Sequence, residues 1–158
     1  SANHQEFIVI GENVHASRIV LKKGKKFFAD GDSEAVRFQM PNGDQRLFGI
    51  PHAARSGQDY DQGRIKHVKI AVQLAMSGQG ADAEAGLSYI KRMIQRQEEA
   101  NADFLDLNVD EISLKLDEQK EAMKWLVETV EGLCSTPLVR ERSTDVCASI
   151  RLAGSFAA

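Results

Sequence analysis

Two rhythms of apolar residues alternate along the chain: a continuous or every-second-residue rhythm suited to strands, and an every-third-and-fourth rhythm suited to helices. The first run, Phe7-Ile8-Val9-Ile10, is unbroken, rich in β-branched side chains, and stops at Gly11. It predicts a buried strand feeding a loop that begins Glu12-Asn13-Val14-His15, so that polar residues gather where a parallel strand finishes. Between about residues 22 and 51 the runs shorten. Lys26-Phe27-Phe28 and Ala35-Val36-Arg37-Phe38, broken by Asp30-Gly31-Asp32 and Asn42-Gly43-Asp44, predict one or two hairpins. Directly after the first strand, they form a β-rich insertion in the framework, either a functional flap over one end or a loop without that role.

Helical spacing takes over afterwards. Residues 63–77 carry Ile65, Val68, Ile70, Val72, Leu74 and Ala75, and their length and Ala and Gln content favour a helix that Gly78-Gln79-Gly80 ends. From Asp82 to Asn101, Leu87, Ile90, Met93, Ile94 and Gln97 share one stripe, while Lys91, Arg92, Arg96, Glu98 and Glu99 can face water. Phe104-Leu105-Asp106-Leu107-Asn108-Val109 alternates, which places Asp106 and Asn108 on one face of a strand. A further helix is predicted from Asp117 to Leu133 on Ala122, Met123, Leu126, Val127 and Val130, with Trp125 beside them. Thr136-Pro137-Leu138-Val139 is a candidate third strand.

The order strand, insertion, helix, strand, helix, strand is the βαβ rhythm of a parallel sheet covered by helices. A doubly wound sheet and a barrel both satisfy it. With 42% hydrophobic and 27% charged residues the composition is that of an ordinary globular chain, and a net charge of -3 disfavours nucleic acid or an acidic membrane surface as a partner. No apolar run reaches the roughly 18 to 20 residues that span a bilayer, and no basic segment followed by an apolar core opens the chain, so a cytoplasmic protein is expected. Cys134 and Cys147 have neither CxxC spacing nor a neighbouring histidine, and two reduced thiols are expected.

Asp106 and Asn108 carry the sharpest chemical signal. A carboxylate and an amide pointing the same way from a strand can jointly meet the donor and acceptor edge of a flat heterocycle. The alternative is a structural Asp106, paired with a lysine or arginine or capping backbone. Glu12 and Asn13, ending the first strand, would share a rim with them, where loops after parallel strands build the sites of α/β barrels; alternatively they bond local backbone. His15 suits a positioning or surface role, because no second histidine or cysteine stands at ligand spacing, and no metal site is expected. Arg64, Lys66 and Lys69, around His67, read as a solvated helix face, with an anion such as a polyglutamate tail as the other reading. Gly78-Gln79-Gly80 follows a helix instead of a strand, which argues against a dinucleotide site, and neither a P-loop nor a GxSxG elbow is present.

Two stretches resemble the pterin-binding family, which includes the methyltetrahydrofolate corrinoid methyltransferases and the dihydropteroate synthases. One is FIVIGENVH, from Phe7 to His15. The other is RQEEANADFLDLNVDE from Arg96 followed by EAMKWLVETVE from Glu121, and its LDLNV between two matching helices is the more specific. The resemblance implies the N-terminal part of a (β/α) TIM-type barrel with a β-hairpin insertion after the first strand. It implies tetrahydrofolate or another pterin as ligand, held by Asp106 and Asn108 with Asn13 and Glu12 on the first-strand rim. The methyl group on N5 would pass to the cobalt of a corrinoid on a partner protein.

The chain departs from the family's pattern at three places. Asp110 stands where the family usually has glycine, the insertion at 22–51 is extra, and Leu138 is followed by Val139-Arg140-Glu141-Arg142-Ser143-Thr144 where the third strand ordinarily reads Leu-x-x-Asp-Ser. From Arg140 to Ala158 the sequence diverges, which suggests a truncated or frameshifted reading frame. A complete barrel takes about 250 residues and eight strands, so catalysis by this chain alone is not expected. An open parallel sheet leaves edges to cover, and a homo-oligomer is expected. Two other functions stay open: a non-catalytic oligomeric or interaction protein, and an enzyme similar to dihydropteroate synthase.

Overall fold

The structure, a computed structural model, describes residues 8–133 and 138–141. It is a mixed α/β fold. In chain order it contains β1 (Ile10–His15), β2 (Val20–Leu21), β3 (Phe27–Asp30), β4 (Ser33–Gln39) and β5 (Gln45–Gly49). A 3-10 turn at His52–Ala54, the one-turn helix α1 (Gln58–Asp61) and β6 (Arg64–Ile65) lead into α2 (His67–Ser77) and α3 (Gly80–Glu99). β7 (Phe104–Asn108), α4 (Leu116–Glu131) and β8 (Leu138–Glu141) complete it. β1, β7 and β8 form a parallel sheet in that order, β3, β4 and β5 an antiparallel meander, and β2 pairs with β6.

The first strand lies further along than its apolar run predicts. Ile8, Val9 and Ile10 are 69%, 48% and 49% exposed, and the ladder runs through the polar segment instead. Ile10 pairs with Phe104, Gly11 with Leu105, Val14 with Leu107 and His15 with Asn108. Pairing with β7 carries the strand past the apolar run, and the side chains of Ile8, Val9 and Ile10 stay exposed at its start. Between Gly11 and Val14 two residues of β1, Glu12 and Asn13, stand opposite Asp106 alone, which makes a β-bulge. Gly11 lies against α3: a Cβ there would lie 2.0 Å from Gln97 Oε1, so the end of that side chain would have to move.

Below this sheet the helices bury a common core. Val14, Leu105 and Leu107 are almost fully buried together with Ile90 and Ile94 of α3 and Leu126 and Val130 of α4. The predicted stripe of α4, Ala122, Met123, Leu126, Val127 and Val130, is buried throughout. Helix α3 turns Ile90, Met93 and Ile94 inward as its spacing predicts. It approaches α2 closely at Gly86, where a Cβ would sit 2.8 Å from the Ala71 carbonyl oxygen. Gly78, in the left-handed conformation at φ 66°, ends α2, and Asn101 at φ 57° follows the end of α3.

Two expectations change. The single helix predicted over 63–77 splits, because Arg64–Ile65 leaves the helix to pair with Val20–Leu21. The insertion does form the predicted hairpins, turning at Gly31 and Gly43 with φ 58° and 91°, but it is not a free flap. Val36, Phe38 and Phe48 are buried, and the rings of Phe38 and Phe48 stand 5.2 and 5.0 Å from Tyr89 of α3. Aromatic packing thus joins the meander to the helical core. Among the described residues no helix is long and apolar enough to cross a membrane. Cys134, Cys147 and residues 142–158 lie outside the described residues.

Candidate functional site

Strand β7 presents Leu105 and Leu107 to the helices and Asp106 and Asn108 to the opposite face, as alternation requires. Asp106 is only 4% exposed, and its Oδ2 lies 2.9 Å from Nε2 of His15, the last residue of β1. An ionised carboxylate can only accept, so His15 Nε2 donates in this pair. The bond ties the C-terminal ends of two neighbouring parallel strands, where the ladder sets His15 beside Asn108. Asn108 Oδ1 accepts the Asp110 backbone N–H at 3.0 Å, a turn in which the side chain holds its own downstream backbone.

The two strands therefore converge at one rim, as expected of Asp106 and Asn108. For Glu12 and Asn13 the backbone lies in the bulge opposite Asp106, and their side chains are outside the described residues. Asp106 meets a histidine, His15, from the neighbouring strand. Nothing local in the sequence joins His15 to Asp106, 91 positions further on. The missing step was register, since only the bulge brings the two together.

Elsewhere the basic stretch around His67 is not a solvated helix face. His67 is 5% exposed, its Nδ1 lies 2.5 Å from the Tyr89 hydroxyl, and burial, then the charges of Lys26 and Arg18, push its pKa down to about 4. Arg64 lies 2.8 Å from Asp59, and Lys66 pairs with Glu111 at 2.6 Å and Asp59 at 3.3 Å. Arg64 and Lys66 thus already face carboxylates, while Lys69 of the same stretch takes no part in these pairs. These pairs border a cavity of about 510 Å³ between the segment 51–60 and α2.

A second, wider cleft of about 700 Å³ opens between β4, the segment 18–26 and α3. Neither cavity is lined by Asp106, Asn108 or His15. Among the described residues no group of three His, Cys, Asp or Glu side chains is placed to hold a metal ion. The chain matches no protein-family model, no curated protein and no solved structure.

Proposed function

We propose that the chain is the pterin-binding part of a methyltetrahydrofolate-dependent methyltransferase-like protein, with β1, β7 and β8 as neighbouring staves of a (β/α) barrel. The observation that supports it is a nearly buried carboxylate, Asp106, on the helix-free face of the LDLNV strand, held by a histidine from the next stave. The donor set suits a pterin: the Asp106 carboxylate accepts from ring and amino N–H groups, and the Asn108 amide offers a donor on the same face. When bound, a methylated pterin supplies a methyl group on the tertiary amine N5, a poor leaving group that needs a proton or hydrogen bond as the methyl departs.

In this reading Asp106 binds and orients the ring, and Asn108 completes the edge-on recognition. His15 fixes the Asp106 carboxylate through Oδ2, and the bulge at Glu12 and Asn13 shapes the neighbouring wall. The methyl acceptor is a corrinoid on a partner protein, and the setting is cytoplasmic. Calorimetric titration with tetrahydrofolate tests it. Saturable binding is expected, weakened at least tenfold, or about 1.4 kcal/mol, in both Asp106→Ala and Asn108→Ala, with circular dichroism unchanged. Absence of binding by the wild-type chain at millimolar ligand would overturn it.

A second reading, a non-catalytic oligomeric or interaction protein, draws on β1, which ends the described sheet with Ile8, Val9 and Ile10 exposed beside it. Light scattering separates the two: a stable monomer at high concentration counts against the oligomer.

A further inference from the structure

The cleft between the insertion and α3 concentrates positive charge. Six of the chain's twenty lysines and arginines line it, namely Arg18, Lys25, Lys26, Arg37, Arg92 and Arg96, and no aspartate or glutamate does. They come from three separate places, the segment after β1, strand β4 and helix α3; the run Lys22-Lys23-Gly24-Lys25-Lys26 supplies two of them, and the other four stand apart in the sequence. The chain as a whole is net acidic, which makes this a local arrangement and not a consequence of composition.

Carboxylate partners for five of these cations, Lys25, Lys26, Arg37, Arg92 and Arg96, are scarce among the described residues. Arg92 reaches Glu99 at 3.2 Å and Arg37 stands over the Phe28 ring at 5.3 Å. Among the described residues no carboxylate lies within ion-pair distance of Lys25, Lys26, Arg37 or Arg96. The contrast with Glu34 is direct, for that single carboxylate draws in both Lys22 and Arg55. Repulsion is felt by the groups around the cleft. Lys26 is exposed as a residue, yet burial of its ammonium, followed by the charges of Arg96 and Arg18, holds its pKa below the ordinary lysine value. His67, on the wall, stays neutral for the same reasons. Like charges gathered at the mouth of a partly apolar cleft cost stability, and a bound anion would relieve that cost.

We infer that this cleft is a binding site for a compact small molecule with two or more closely spaced anionic groups, phosphate or carboxylate. Four of the six cations are arginines, whose planar forks accept two oxygens of one phosphate or carboxylate at once. The floor adds Phe38, Tyr89 and Met93, and a cleft of about 700 Å³ accommodates a ligand of a few tens of atoms, not an extended polymer. The meander then has a role: it supplies Arg37 and Phe38 as one wall of the site, facing the arginines of α3. The site is independent of the pterin reading, since its lining shares no residue with Asp106, Asn108 and His15.

Calorimetry and thermal shift on the full chain test this, using inorganic pyrophosphate, tricarballylate, monophosphate and a single-stranded RNA oligonucleotide at one fixed ionic strength. Pyrophosphate or tricarballylate is expected to bind saturably below millimolar and at least tenfold tighter than monophosphate, and the tighter of the two identifies the phosphate or the carboxylate source. Lys26→Gln and Arg96→Gln should each weaken binding about tenfold and leave the unliganded melting temperature unchanged or raised. Lys124→Gln, on the exposed face of α4, should change affinity less than twofold. Three outcomes overturn the proposal: no saturable binding of either pyrophosphate or tricarballylate, equal losses in Lys124→Gln, or RNA bound far more tightly than both small anions. Because the first outcome needs no variant, a substitution that fails to fold does not shield the proposal.

Discussion

The rim at Asp106 and the cleft at Arg96 treat charge in opposite ways. At the rim each polar group is met by another: Asp106 by His15, and Asn108 by the backbone of Asp110. In the cleft six cations line one opening that no aspartate or glutamate lines, and Arg92 reaches Glu99 beside it. Burial makes the first arrangement obligatory, because a carboxylate that is 4% exposed cannot rely on water. Exposure makes the second tolerable, since water screens residues such as Lys25 and Arg96 until a ligand displaces it. A polar cluster linked by short hydrogen bonds and a cleft lined by cations thus sit on the same small scaffold.

The largest expected effect tests whether the two regions share one core. Phe48→Ala removes a fully buried ring from the Phe38, Phe48 and Tyr89 cluster and should cost about 3–5 kcal/mol in urea unfolding, through a single transition. Loss of the meander alone, with the parallel sheet still cooperative, would show that the regions are separable. Next is the pH dependence set by His67. Its folded pKa of about 4 lies below the ordinary 6.5, so the unfolded chain takes up the proton first as pH falls. Stability is complete above pH 6.5 and declines toward pH 4, by on the order of 3 kcal/mol. His67→Gln should flatten that slope in denaturant titrations across the window.

A smaller effect belongs to the rim. Gly11→Ala sets a Cβ against the end of Gln97 and should cost about 1 kcal/mol, recovered in the double variant with Gln97→Ala. Failure of the second change to restore stability would mean that the strand and not the side chain resists. The smallest is at Leu114, fully exposed in the segment before α4, where Leu114→Ser should stay within about 0.5 kcal/mol of wild type.

What the sequence displays and what it hides follow from the range of the forces involved. Helix α4 was legible down to its buried stripe, and so were both glycine turns of the meander, because spacing and turn chemistry act between near neighbours. Strand β1 was misplaced by several residues, since its register depends on β7, more than ninety positions away. The same distance hides the bond between His15 and Asp106, although each residue stands out alone in the sequence. His67 looked solvated within a basic run, and only the Tyr89 hydroxyl, brought up by α3, explains its burial. The six cations of the cleft are scattered over residues 18–96 and converge only once the meander docks.

The long reach of the β1 and β7 ladder also orders events during synthesis. The meander closes over short stretches of chain and can form as soon as it emerges, whereas β1 must wait for residues 104–108 before it has a neighbour. Throughout that interval Ile8, Val9 and Ile10 adjoin a ribbon of unanswered peptide groups, so the nascent chain is most prone to mispair along this first strand.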